Sequence, residues 1–237
     1  IIRAYLIKLT RSEFFTVMTC GMSTVAGSVM IIYANTLSDI VPGAIGHIVV
    51  GSVLNIVGAI YVSRIIVPED GSPTSSEQFE DLGYSSTMDA ITRGTQDGLK
   101  LALNIGGMLL VIISLVALVN GVLGLVEISG EPLSLQRMLG WLFSPLAWLI
   151  GVPWSEAHMA GNLMGSKIVL NEMIAFFELA ATGNNLSAST RLILLYALCG
   201  FANFGSLGIL IGGLSTLVPE RKMDYLVSVE GRSGTGT

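Results

Sequence analysis

Long apolar stretches separated by short polar links run through most of this chain. Three of them, Glu13–Tyr33, Gly46–Ile66 and Leu101–Val126, each approach or exceed the span of about 20 apolar residues that a helix needs to cross a bilayer. A fourth, Arg191–Leu217, follows near the end of the sequence. The mean hydropathy of +0.71 and the charged fraction of 12% are far from those of a soluble domain. The pattern therefore predicts an all-α polytopic membrane protein.

Shorter and less regular segments lie between these spans. Val67–Gly98 is polar, and its end, Ser85–Gly94, is predicted to form a short surface helix. Arg137–Gly151 reads as an amphipathic or half-spanning piece interrupted by a proline. Trp154–Leu179 contains short apolar runs broken by glycines and charges, which favours a re-entrant hairpin over a clean span.

Two of the spans carry a polar centre between glycines. The segments are Cys20–Gly27 and Cys199–Ser206, and each begins with Cys-Gly. Paired glycine-interrupted segments of this kind are typical of the discontinuous helices of inverted-repeat transporters. Close helix packing through small residues is the alternative interpretation of the first segment.

Charged and amide side chains cluster inside the apolar stretch Gly165–Phe177. An ionisable group at bilayer depth costs at least about 2.5–3.5 kcal/mol, so it normally faces a partner, a cavity or a substrate path. On one continuous helix, Lys167 and Asn171 would share a face while Glu172 would point elsewhere. In the alternative, Lys167 and Glu172 neutralise each other, or the stretch lies at the headgroups with Lys167 snorkelling.

Charge and reactive residues narrow the class of protein. The net charge of −5 argues against a nucleic-acid partner. Cys20 and Cys199 are expected to be small packing residues, and His47 and His158 packing or surface residues, with no metal-binding or nucleophile motif around them. The sequence therefore favours a transporter over an enzyme, and we expect no cofactor.

These motifs resemble those of the concentrative nucleoside transporter family. The similarity extends over nearly all of Arg3–Arg221, and Cys199–Ser206 matches the family pattern C-G-F-A-N-F-x-S. Gly21–Gly27 matches the first discontinuous helix of the family. The signature G-x-K-x-x-x-N-E-F-V-A-aromatic is met, with Met173 and Ile174 at the Phe and Val positions, by Gly165, Lys167, Asn171, Glu172, Ala175 and Phe176.

The resemblance implies a nucleoside site built from a hairpin and a broken helix. Glu172 would bind the ribose together with Asn203 and Ser206, and Phe201 would lie against the base. Asn171, next to Glu172, is included in this predicted site. A carboxylate and an amide suit a ribose diol, and an aromatic face suits a base.

The resemblance also implies how transport is driven. The hydroxyl of Thr24 and the carbonyl of Val25 would bind sodium as the coupling ion, with a proton as the alternative. The expected function is symport of nucleosides of the uridine, cytidine and adenosine class across the plasma membrane by alternating access. A homotrimer in contact with lipid is the assembly that the family implies.

The resemblance covers a C-terminal transporter core. We expect residues 1–221 to form a partial core, incomplete at both ends, that begins after the family's first hairpin and lacks its last membrane helix. Residues 222–237 read as a divergent polar tail. An alternative function is a transport-inactive fragment that assembles with, or perturbs, a full-length partner.

Overall fold

A computed structural model of the chain describes residues 6–69, 71–72, 74, 85–128 and 130–217, with the side chains of 207, 211–212 and 214–217 left out. The predicted polar tail 222–237 therefore lies outside the described residues. The α-helices, in chain order, are α1 Arg11–Ser23, α2 Gly27–Leu37, α3 Ala44–Ile66, α4 Thr87–Leu123, α5 Leu135–Leu149, α6 Trp154–Val169, α7 Glu172–Thr182, α8 Ala188–Leu198 and α9 Phe204–Leu217. Glu127–Ile128 (β1) and Glu131–Pro132 (β2) form a small antiparallel pair, and Gly183–Asn185 forms one 3-10 turn.

Among the residues that the structure describes, three stretches are long and apolar enough to cross a membrane, namely Arg11–Leu37, Ala44–Ile66 and Thr87–Leu123. Large apolar side chains on α3 and α4 are mostly exposed, as suits helices surrounded by lipid. The predicted all-α membrane fold is confirmed.

The first span is interrupted, but over fewer residues than the sequence suggested. Helix α1 continues through Cys20 and Gly21 to Ser23, and α2 begins at Gly27. Ala26, the N-cap of α2, has extended backbone angles of φ −64° and ψ 134°. A glycine inside a helix costs only about 1 kcal/mol relative to alanine, so Gly21 does not end α1.

The separate surface helix and third span predicted from the sequence form one helix. Helix α4 runs for 37 residues from Thr87 to Leu123, through Gly94 and Gly98. Once a helix has started, each added residue gains a hydrogen bond, and this outweighs two isolated glycines. An ion pair between Arg93 and Asp89, 2.8 Å long and one turn apart, supports the polar end.

Helix α5 also differs from the prediction, because Pro145 lies inside it without ending it. Helices α5 and α6 pack closely through small residues. A methyl group at Gly165 would lie 2.8 Å from the carbonyl oxygen of Gln136. Methyl groups at Gly140 and Gly161 would overlap Asn162 and the Gly140 carbonyl, respectively.

Helices α6 and α7 form the predicted hairpin, and its turn falls inside the charged cluster. Helix α6 ends at Val169, and Asn171 is the N-cap of α7 with extended backbone angles of φ −167° and ψ 169°. The side chain of Asn171 accepts a hydrogen bond from the backbone N–H of Ile174 at 2.9 Å. The one continuous helix on which Lys167 and Asn171 would share a face therefore does not form, because the first helix ends at Val169 and Asn171 caps the next.

The described chain divides into two compact units. One comprises Gly21–Val57 and Leu110–Ser206, and it contains the main apolar core, with Tyr33, Leu37 and Phe176 among its most buried side chains. The other comprises the described residues within Ile1–Cys20, Gly58–Leu109 and Leu207–Thr237, with a small cluster of Leu6, Phe14 and Met18. All the predicted site residues fall in the first unit.

Candidate functional site

The carboxylate of Glu172 lies at the hairpin tip, buried to 6% exposure. Its Oε1 accepts a hydrogen bond from the Tyr33 hydroxyl at 3.1 Å, and its Oε2 accepts one from the Asn203 amide at 3.3 Å. Glu172 is the first residue of α7, where a carboxylate is favoured by the helix dipole. The described donors hold it by two hydrogen bonds from α2 and from the start of α9.

The break between α8 and α9 brings Asn203 and Ser206 together. The Asn203 side chain accepts from the Ser206 backbone N–H at 2.7 Å, and the Ser206 hydroxyl accepts from the Asn203 backbone N–H at 2.8 Å. This reciprocal pattern is a capping box, with its polar residues three apart. It fixes the side chain of Asn203 so that its Nδ2 faces Glu172.

The other two predicted nucleoside-binding residues lie beside this pair. Phe201 is half-buried in the unwound segment, and its carbonyl oxygen is 3.5 Å from Asn203 Nδ2. Asn171 is half-buried at the hairpin turn, where its Oδ1 caps α7. The structure thus places Glu172, Asn203 and Ser206 in one hydrogen-bonded group, with Phe201 and Asn171 next to it in the chain.

Lys167 does not pair with Glu172. Its Nζ donates to the carbonyl oxygen of Ala197 at 2.9 Å, near the end of α8. In the part of the chain that the structure describes, no ion pair joins Lys167 to Glu172. The two side chains therefore make no direct ion pair, and their charges interact only through space.

The two breaks approach each other. Gly200 has φ +153°, and a methyl group there would lie 3.1 Å from the Ser23 carbonyl oxygen, so only glycine suits this position. Thr24 and the buried Val25, the predicted sodium ligands, follow Ser23 directly in the break between α1 and α2. The ends of both interrupted helices therefore meet beside the predicted sodium position.

Sequence reasoning missed Tyr33 as a site residue. Its side chain is 1% exposed, and its ring stacks on Phe176 at a centroid distance of 4.6 Å. A tyrosine in an apolar helix normally needs a partner for its hydroxyl when buried, and that need was the available signal. The partner, Glu172, lies 139 residues further along the chain, which no local pattern reveals.

A separate cavity lies away from the Glu172 group. A cavity of about 250 Å³ between α5 and α6 is lined by Trp141, Trp154 and His158, and contains none of the predicted site residues. No group of three or more His, Cys, Asp or Glu side chains that could hold a metal occurs among the residues described. Chemically, the Glu172 group offers acceptors and amide donors suited to a neutral polyhydroxyl ligand.

Comparison with known proteins identifies the family. Residues 47–229 match the family model described as "Na+ dependent nucleoside transporter C-terminus". The chain is 39% identical over 232 residues to the uncharacterized transporter YutK of Bacillus subtilis, covering 94% of this chain and 56% of that protein. It is 39% identical over 229 residues to the nucleoside permease NupC of Helicobacter pylori, covering 94% and 54%.

Comparison with solved structures identifies the same family. The structure of CNTnw in an inward-facing substrate-bound state matches with a TM-score of 0.75 at 37% identity, covering 97% of this chain and 55% of that one. The chain spans about half the length of the curated relatives it matches. The matched relatives are transporters rather than enzymes. Because the family model matches most of the chain and the relatives agree with it, the chain belongs to the concentrative nucleoside transporter family, whose C-terminal part it matches.

Proposed function

We propose that this chain forms the nucleoside-binding part of a sodium-coupled nucleoside symporter. The observation that carries the proposal is the buried carboxylate of Glu172, which is held between the hairpin tip and the broken helix by Tyr33 and Asn203. A buried carboxylate with remaining lone pairs is a strong acceptor for ribose hydroxyls. The names of NupC and of the mouse sodium/nucleoside cotransporter 1, 32% identical over 248 residues, support the substrate class.

In this proposal, the ribose lies against Glu172 and Asn203, and the base lies against Phe201. Ser206 acts through the cap that orients Asn203, since both its backbone N–H and its hydroxyl are engaged there. Asn171 acts at the hairpin turn beside Glu172. All these groups lie on helix ends or breaks, which can shift as short rigid pieces during alternating access.

Sodium is the proposed coupling ion, with a proton as the alternative. The first break supplies a hydroxyl at Thr24 and a backbone carbonyl at Val25, and hard oxygens of this kind suit Na+. The family description, which specifies sodium dependence, favours sodium. Because the Ser23 carbonyl contacts the second break at Gly200, an ion bound next to Ser23 would also steady the nucleoside site.

Uridine binding to the purified chain and its uptake into proteoliposomes test the proposal. We expect uptake under an inward sodium gradient that disappears when the gradient is collapsed. Glu172→Gln should weaken uridine binding by more than about tenfold, because a charge-assisted hydrogen bond is worth about 1.5–3 kcal/mol. Glu178→Gln, on the same helix and outside the described Glu172 contacts, is the matched control.

The result that would overturn the assignment is equal uridine affinity in wild type and Glu172→Gln. Uridine and adenosine should be measured side by side, because the described residues do not define which base is preferred. Uptake that follows an imposed proton gradient instead of the sodium gradient would replace sodium by a proton in the proposal.

A further inference from the structure

The last turn of α8 is held by two side chains that the proposed nucleoside site does not include. Helix α8 ends at Leu198, so its final carbonyl groups have no partner within the helix. Lys167 Nζ, from α6, donates to the Ala197 carbonyl oxygen at 2.9 Å. Asn55 Nδ2, from α3, donates to the Cys199 carbonyl oxygen. Carbonyls on either side of the helix end are thus bound from two different helices.

The side chains of Lys167 and Asn55 are both chemically suited to bind carbonyl groups at a helix C-terminus. A cation at a helix C-terminus interacts favourably with the partial negative charge of the unpaired carbonyls. Lys167 is half-buried, and this contact accounts for a charged side chain inside an apolar surround. Asn55 is half-buried as well, and its amide nitrogen finds an acceptor that the helix itself cannot satisfy.

Helix α3 packs closely enough against α8 for the Asn55 side chain to reach the Cys199 carbonyl oxygen. His47, Gly51 and Asn55 are spaced four apart and share one face of α3. His47 Nδ1 is 3.1 Å from the Tyr196 hydroxyl, which ties an earlier turn of the same face to α8. A methyl group at Gly51 would lie 3.3 Å from Tyr196 Cδ1 and 3.4 Å from Cys199 Cβ. The absence of a side chain at position 51 thus lets α3 lie close to the end of α8.

The hairpin tip contacts the broken helix on both sides of its break. Lys167 binds Ala197 before the break, and Glu172 accepts from Asn203 after it. Between these points runs the unwound segment, in which Gly200 has φ +153°. The positions of Phe201 and Asn203 relative to Glu172 therefore depend on where the end of α8 is held.

We propose that Lys167 and Asn55, named here the α8 clamp, are positioning residues that hold the end of α8 and so align Phe201 and Asn203 with Glu172. Neither residue needs to touch the nucleoside. The consequence for substrate binding rests on the proposed function, whereas the local ordering of the break does not.

Hydrogen–deuterium exchange on the purified full chain tests the clamp. The reporter is the segment 199–206, in which the amides of Cys199, Asn203 and Ser206 are hydrogen-bonded and hence protected. Lys167→Met removes the cation at similar length, and Asn55→Asp keeps the size but lacks the donor. We expect each to speed exchange in this segment by about tenfold, since local opening sets the exchange rate.

Matched controls are Lys100→Met and Asn104→Leu on α4, where both side chains are exposed. These should leave exchange in the segment unchanged. Peptides from the first turns of α6 should also keep the wild-type rate in the clamp variants. That local pattern separates positioning from a general loss of stability.

The exchange rate of segment 199–206 in each variant decides whether its residue belongs to the α8 clamp. A variant that leaves the segment at the wild-type rate removes its residue from the clamp, and two such variants overturn the proposal. Faster exchange throughout the chain overturns it as well. Uridine affinity, measured on the same samples, should fall by about tenfold in Lys167→Met, as for loss of a hydrogen bond from a charged group, and by about three- to tenfold in Asn55→Asp, as for loss of a neutral one. If wild type does not bind uridine, the proposed function fails while the exchange result still decides the clamp.

Discussion

At the scale of single residues, Glu172 shows how a buried carboxyl group is held in place at a helix start. It has a hydrogen bond from Tyr33 on one oxygen and from Asn203 on the other. Each oxygen accepts one of these hydrogen bonds, so the group keeps part of its capacity to accept further ones. Its orientation is set by residues far apart in sequence.

Tyr33→Phe should weaken uridine binding by about three- to tenfold, because it removes one neutral donor and keeps the ring that stacks on Phe176. Equilibrium binding to the purified protein measures this. Tyr61→Phe, which alters a tyrosine that is 70% exposed on α3, is the control. An unchanged affinity for Tyr33→Phe would mean that the Tyr33 hydroxyl does not orient the carboxylate.

At the scale of elements, the apolar spans and the hairpin could be predicted from the sequence, whereas helix ends and helix contacts could not. Hydropathy located α3 to within two residues, because apolar periods persist along the whole helix. The continuity of α4 through Gly94 and Gly98 was missed, since a glycine in a helix and a glycine that ends one look alike in sequence. The Glu172 group was found only through motif resemblance, because its members lie on separate elements.

The packing of α5 on α6 depends on small residues, and Gly161→Ala should lower the stability of the protein. The added methyl group would overlap the Gly140 carbonyl, and overpacking of this kind costs about 1–3 kcal/mol. Thermal unfolding in detergent measures the loss. At Gly46 on α3 a methyl group would have no atom within 4 Å, so Gly46→Ala should be neutral or slightly stabilising. Equal melting temperatures for both variants would contradict the packing described.

The stability that the Glu156 carboxylate contributes at the start of α8 should be lost in acid. Glu156 accepts hydrogen bonds from the Ser187 backbone N–H at 3.1 Å and from the Ser187 hydroxyl at 3.0 Å. Hydrogen bonds from Thr190 and Ser187 hold the pKa of the Glu156 carboxyl below its ordinary value. Its contribution to stability is therefore present above the ordinary glutamate pKa of about 4.3 and is lost as the pH falls through the lowered value.

Melting temperatures measured between about pH 6 and pH 3 check this acid response, with the ordinary glutamate pKa inside the interval. Glu156→Gln should flatten part of the pH dependence that wild type shows. Identical profiles for wild type and Glu156→Gln would show that the carboxylate contributes nothing at this helix start.

At the scale of the whole molecule, the proposed sodium and nucleoside sites lie on two interrupted helices that approach each other at Ser23 and Gly200, so we expect the binding of the two ligands to be interdependent. Sodium should raise the affinity for uridine, and uridine should raise the affinity for sodium by the same factor, because linkage is reciprocal. Thr24→Val should reduce sodium dependence while leaving uridine affinity near wild type at saturating sodium.

Uridine titrations at several sodium concentrations test this linkage. Serine in place of Thr24 keeps the hydroxyl and serves as the control. Wild-type sodium activation in Thr24→Val would place the ion at other oxygens.

The close approach of Gly200 to the Ser23 carbonyl affects which helices can be exchanged between related transporters to make hybrid proteins. A side chain at position 200 would crowd the Ser23 backbone, so we expect that exchanging one segment alone would disturb the other. A hybrid that takes α8 and α9 from a relative should need α1 and α2 from the same source. In protein engineering, we expect these distant stretches to behave as one exchangeable module.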